Sequence, residues 1–229
     1  MDPKLAYKVF EFIVLLFALS FHEAAHAWVA SRLGDPTARM LGRVTLNPMK
    51  HIDPFGTIVL PLLGLFGGGV LFGWAKPTPV TGRNFKNYKR DDTLVTLAGP
   101  MSNLILAVGS LVLLLVVERF APLGRECVIG VIRGILDPDL MAAAPVVFPL
   151  TLVFFISVEL NLVLTVFNLM PFPPLDGSHL VRHMISGRAA AIYDQMGYIG
   201  FFLAFLVGGW VTMRIVTPVL GLFVALLLH

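Results

Sequence analysis

The sequence predicts an all-α polytopic membrane protein. It is read as a single integral-membrane domain over residues 1–229, with about five to six transmembrane helices and a short re-entrant β-rich segment after the first helix. Composition is the first support: of 229 residues 57% are hydrophobic and only 14% charged, and several runs approach the roughly 20 apolar residues a bilayer requires. No stretch is long and polar enough for a soluble domain, so the lipid bilayer is the expected surrounding. Charge placement is the second. The basic residues fall in short loops without aromatic interleaving, so the net charge of +3 reports topology and no nucleic-acid partner is expected. The single Cys127 excludes an intrachain disulfide and a thiolate metal cluster.

The first helix is expected from Leu5 to Leu33, about 43 Å at 1.5 Å per residue. Gly34 supplies its C-cap and Pro36 forbids continuation. Lys4 and Lys8 precede the apolar run as in a signal peptide, but cleavage would remove the polar end of this helix, so it is read as a retained span. From Ala38 to Pro48, β-branched and apolar residues broken by Gly42 and closed by Asn47-Pro48 predict a short strand or hairpin.

Residues 55–73 are apolar but carry Pro61 and glycines at 64, 67, 68, 69 and 73, which is poor helix material. Arg32, Arg39, Arg43 and Lys50 precede this segment, and Lys76, Arg83, Lys86, Lys89 and Arg90 follow it. A single crossing would put a basic cluster on each face, against the positive-inside rule; re-entry places all nine on the cytoplasmic side.

A second span is expected over 93–117. The loop over 118–147, with four acidic residues against three arginines, suits the opposite side, and 146–169 returns. Pro171, Pro173 and Pro174 stop that helix and deliver Asp176 on a stiff arm. A short helix over 178–186 and a C-terminal helical hairpin over 189–229 complete the chain.

The chemistry gathers at the end of the first helix, His22-Glu23-Ala24-Ala25-His26. Positions i and i+4 share a helix face, so His22 and His26 can present two imidazoles to one metal ion. Glu23 is one residue round from His22, placed to take a proton from water without being a ligand. Ionisable groups inside a membrane run are costly, and three in five residues point to function.

A zinc hydrolase site needs a third protein ligand. The candidates in apolar surroundings are Asp53, Glu159, Asp176, His179 and His183. With a re-entrant segment, chain parity brings Asp176 to the side and depth of the two His. Glu159 lies about 25 Å away along the returning helix, where it is expected to pair with Arg119 or Arg133. His179 and His183 also stand at i and i+4, but Arg182 beside them and an interfacial setting favour a supporting role.

With H-E-A-A-H in the first span, G-P-M-S-N at 99–103 and N-L-M-P-F-P-P-L-D-G at 168–177, the chain resembles the site-2 protease family of intramembrane zinc metalloproteases over roughly residues 10–185. The resemblance implies one Zn2+ per chain on His22, His26 and Asp176, with Glu23 activating water. It matches Asn103 and Asn168 to polar positions near the metal, where they could grip substrate backbone or an oxyanion. The implied substrates are single-span membrane proteins cut within or near their transmembrane segments. The implied setting is the cell (inner) membrane, with the site opening to the cytoplasmic side. The sequence shows no inserted PDZ-like domain and no nucleotide-sensing domain, and it sets no oligomeric state. Two competing readings are a catalytically silent scaffold, against which an intact Glu23 argues, and a metallopeptidase completed by Glu159. A zinc transporter is disfavoured, because the polar groups converge on one level.

Overall fold

The computed structural model describes residues 3–67 and 73–228, all helix, turn and extended connection. Helix α1 runs Pro3–Arg32 with no glycine and no internal proline. It ends where Gly34 turns left-handed at φ +107° and the Asp35 amide closes onto the Ala30 carbonyl. The buried Asp35 carboxylate then organises the exit, accepting from the Thr37 amide and hydroxyl, the Thr81 amide and the Asn84 side chain at 2.5–3.1 Å.

Beyond the one-turn helix α2 (Thr37–Met40) the structure departs from expectation. No strand exists among the described residues, and Leu41–Leu46 is a turn followed by bends, with Gly42 at φ +65°. The backbone groups here find partners other than a ladder. The buried Arg43 guanidinium donates to the carbonyls of Lys50, Lys76 and Pro77, and the His51 ring bonds the Thr45 carbonyl at 2.8 Å. The expected β-rich segment is instead a capped helix. Asp53 accepts from the Phe55 and Gly56 amides, and a π turn at Pro54–Val59 leads into α3 (Leu60–Gly67). The 14 residues Pro54–Gly67 extend about 21 Å, too short to cross a bilayer. The chain returns where it left: the Trp74 amide bonds the Gly56 carbonyl and the Trp74 carbonyl takes the Thr57 hydroxyl. A side chain at Gly56 would overlap the Trp74 ring, which makes that closure glycine-dependent.

Helix α4 (Tyr88–Phe120) begins five residues earlier than expected, because Asn87 and Asp91 cap it reciprocally. It pairs antiparallel with α7 (Val147–Asn168): the Thr165 hydroxyl meets the Pro100 carbonyl, Asn161 meets Asn103 and Ser157 meets Ser110. Small and polar residues at Gly99, Asn103, Ala107 and Ser110 let the two helices approach closely. The loop expected between them contains α5 (Gly124–Ile132) and α6 (Pro138–Ala143), and α5 buries Cys127 and Val128 against Phe148 and Leu152 of α7.

After α8 (Gly177–Arg182) and α9 (Gly187–Asp194), the chain is helical from Gly197 to Leu228. This run comprises α10 (Gly197–Leu203), a π turn at Ala204–Gly208 and α11 (Gly209–Leu228). The expected hairpin is therefore corrected to the eight-residue α9 plus one long helix, since Gly208-Gly209 is absorbed by the π turn and no reversal occurs at Trp210 or Arg214. Four helices among the described residues are long and apolar enough to span a membrane, Leu5–Arg32, Tyr88–Phe120, Val147–Asn168 and Ala204–Leu228, in place of the five to six expected. Phe17, Ile105, Leu206 and Leu222 are exposed on their outer faces, as lipid-facing residues are.

Burial pushes the Asp35 carboxyl up, but hydrogen bonds from Thr37, Thr81 and Asn84 outweigh it and hold it below the ordinary carboxylate range. A depressed folded-state pKa gives stability that is present above the unfolded value of about 4 and lost as pH falls through the folded one. Asp35→Ala should thus lower the unfolding temperature in detergent at pH 7, with the gap to wild type closing below about pH 4.

Candidate metal centre

His22 and His26 lie one turn apart on α1, both buried, with ring centroids 4.7 Å apart. Each ring is held at Nδ1. His26 Nδ1 is 2.7 Å from the Val95 carbonyl, which can only accept, so Nδ1 carries the hydrogen and Nε2 the lone pair. His22 Nδ1 is 2.8 Å from Asn103 Oδ1, and Asn103 is oriented in turn because its Nδ2 donates to Asn161 Oδ1 at 3.2 Å. Asn161 Nδ2 donates to the Ser157 carbonyl, and Ser110 donates to the Ser157 hydroxyl. A buried polar thread thus runs from His22 into the α4–α7 seam and fixes the tautomer.

The two Nε2 atoms approach to 3.1 Å. Asp176, arriving from the proline arm, sets Oδ2 3.0 Å from His22 Nε2 and Oδ1 3.4 Å from His26 Nε2. Asp176 Oδ2 is buried with no hydrogen-bond donor. Three acceptors facing one point repel one another unless a cation sits among them. Two neutral imidazoles and a carboxylate, their ligand atoms all within 4.8 Å, form a donor set that zinc takes. Gly99 makes the room: a Cβ there would overlap both His22 Nε2 and His26 Nε2.

Glu23, half-buried beside the pair, is gripped from the extended segment after Trp74. Its Oε2 accepts the Thr78 amide at 2.7 Å, and the Thr78 hydroxyl donates to the Glu23 carbonyl at 3.0 Å. Sequence reasoning missed Thr78, although Pro77-Thr78-Pro79 isolates one amide donor between two residues that have none. It also missed Asn161 and the Val95 carbonyl; a backbone acceptor leaves no trace in a sequence.

The other sequence candidates lie elsewhere. Asn103 is fully buried, with Oδ1 set against His22 and Nδ2 donating to Asn161. Asn168, the last residue of α7, is half-buried and donates to the Leu164 carbonyl. Asp53 is a helix cap. Glu159 faces Glu11 and Tyr7, and among the described residues it makes no ion pair with Arg119 or Arg133. His183 Nε2 meets the buried Asp92 carboxylate at 2.7 Å, and His179 reaches the same oxygen at 3.5 Å. An apolar groove of about 350 Å³, lined by Phe21, Ala24, Trp28, Val44, Leu46 and Ser102, runs along α1 beside the cluster.

The Asp176 arm is supported from below. Gly177 packs against the Leu169 and Met170 carbonyls, and Gly200 of α10 against Pro173. Met170 and Leu175 share an apolar cluster with Ala204 and Val211.

Known proteins resemble this chain along most of its length. "Peptidase family M50" matches residues 10–207. A Bacillus subtilis protein, "Putative zinc metalloprotease YwhC", is 40% identical over 195 residues, 85% of this chain and 77% of that protein. "Putative zinc metalloprotease Rip2" of Mycolicibacterium smegmatis is 32% identical over 187 residues, 80% of this chain but only 61% of the relative. Its Mycobacterium tuberculosis namesake is 32% identical over 202 residues, 85% of this chain and 67% of its own length. No solved structure matches the chain. The chain belongs to peptidase family M50, the site-2 protease family.

Proposed function

We propose that the chain is a zinc-dependent intramembrane endopeptidase that hydrolyses peptide bonds within or near the transmembrane segments of single-span membrane proteins. The observation that carries this reading is the meeting of two tautomer-locked Nε2 atoms and a donor-less carboxylate inside a bundle of membrane-length helices. The resemblance to proteins named "Putative zinc metalloprotease" supports the metal. His22, His26 and Asp176 would hold one Zn2+, which when bound polarises a carbonyl and makes water a nucleophile near neutral pH.

The chain's own residues supply the rest. Asn103 and Val95 keep both imidazoles aimed with lone pairs inward. Glu23 accepts the proton of the attacking water and returns it to the leaving amine, and its Thr78 contact fixes the carboxylate while half of it stays open. A substrate helix hides its scissile carbonyl until it unwinds, and the freed backbone then needs partners. The groove between Trp28 and residues 44–46 offers a place for such an extended segment. Arg39, Lys50, Arg83, Lys86, Lys89 and Arg90 cluster in the connections around the His-bearing end of α1, which supports an opening on the cytoplasmic side of the cell membrane.

Four measurements test this reading. His22→Ala, His26→Ala and Asp176→Ala should each lose the zinc that wild type holds at one per chain; full occupancy in Asp176→Ala would remove it from the ligand set. Gly99→Ala should also lose zinc, since its methyl competes with the space between the Nε2 atoms, while the unfolding temperature changes little. Glu23→Gln should keep zinc and bind a single-span substrate, yet cut it roughly a hundred- to ten-thousand-fold more slowly. Equal behaviour of that variant and wild type would favour the scaffold. Cysteines at the exposed positions 49 and 83, introduced after replacing Cys127, should both be labelled from the cytoplasmic face; labelling from opposite faces would refute the same-side return of the segment between them.

A further inference from the structure

Helix α8 has only six residues and begins immediately after Asp176. A helix that short does not stand by itself in water or at an interface, so its position must be imposed from outside. The imposing contact comes from the first turn of α4. Asp92, a carboxylate 7% exposed, presents Oδ2 to His183 Nε2 at 2.7 Å and to His179 Nδ1 at 3.5 Å. One turn earlier Tyr88 sets its ring edge-on to His183, centroids 5.4 Å apart.

Asp92 also belongs to a pattern. Asp92, Val95, Gly99 and Asn103 are spaced by three, four and four residues, one stripe of α4. Asn103 holds His22, Val95 holds His26, and Gly99 makes space for both. The remaining member of the stripe, Asp92, reaches the element that begins at Asp176, the third group of the set.

We propose that Asp92 is the positioning residue for Asp176: through His183, and secondarily His179, it latches α8 to α4 and so sets the Asp176 carboxylate against the two imidazoles. Asp92 touches neither substrate nor metal in this role. The proposal rests on the ligand set given above. It makes a single helix the template for the whole site, with a separate handle for each ligand.

The test is zinc affinity, measured by chelator competition on the purified full chain in detergent. Asp92→Leu should weaken zinc about 10- to 100-fold, the usual effect of removing an outer partner of a ligand. Asp92→Asn keeps an acceptor for His183 and should recover most of that loss. His183→Ala, which cuts the latch from the α8 side, should weaken zinc in the same direction and serves if Asp92→Leu does not fold.

Wild-type affinity in folded Asp92→Leu or His183→Ala overturns the proposal. So does a loss in Asp92→Leu that Asp92→Asn does not recover, which would make Asp92 a general support of the fold and not a hydrogen-bonding latch. Two zinc ions per wild-type chain, one of them lost in Asp92→Leu, would replace the latch by a metal site on Asp92, His179 and His183. Unchanged zinc in Asp176→Ala is a separate result that removes the ligand assignment itself.

Discussion

Three acceptor groups that share no hydrogen, approaching one another to 3.0–3.4 Å in an apolar bundle, are the constraint to which this fold answers. Such a cluster disperses unless each group is held from behind, and each is. His26 leans on a backbone carbonyl, His22 on a run of amides and hydroxyls buried between α4 and α7, and Asp176 on a proline arm packed over α10. The low dielectric that makes the cluster unfavourable without a cation is also what makes a bound one strongly held. The polar thread is fully paired, so it directs the imidazoles without leaving an orphaned group in the seam.

The parts legible in the sequence were those written in local spacing. Helical periodicity places His22 and His26 on one face whatever else the chain does, and Gly34 with Pro36 ends that helix within a residue of where it was expected. The proline arm announced that the chain around Asp176 is stiff. The segment from Leu41 to Leu46 misled, because β-branched composition says nothing about whether a partner strand exists; here the Leu41, Gly42 and Arg43 amides turn back onto Thr37, Arg39 and Ala38, and the His51 ring takes the Thr45 carbonyl. The C-terminal stretch misled in the opposite direction: a hairpin was expected over 189–229, but a π turn at Ala204–Gly208 carries the helix on without reversing the chain. Asn103 was identified as buried and polar, but which way its amide faces depends on Asn161, fifty-eight residues away. Contacts of that range have no signature in one sequence.

The connection from Arg43 to Thr78 shows how the Glu23 carboxylate is steadied beside the His pair. Arg43 ties three carbonyls from two strands of the connection together, and His51 receives the Lys76 amide at its own carbonyl. These ties fix the segment in which Thr78 stands between two prolines. Its one free amide can point only where the ties aim it, toward Glu23. A carboxylate on a long, mobile side chain is thereby restricted to one orientation by backbone alone, which costs no side-chain entropy on the donor's part.

The last helix has a consequence for the order of events in synthesis. The His pair is complete once α1 and the first half of α4 exist, but the arm bearing Asp176 packs on Gly200, Ala204, Gly208 and Val211, which emerge later. A chain still being made therefore carries two imidazoles and a third group that lacks part of its packing, and the arm is fully seated only once the final span is made.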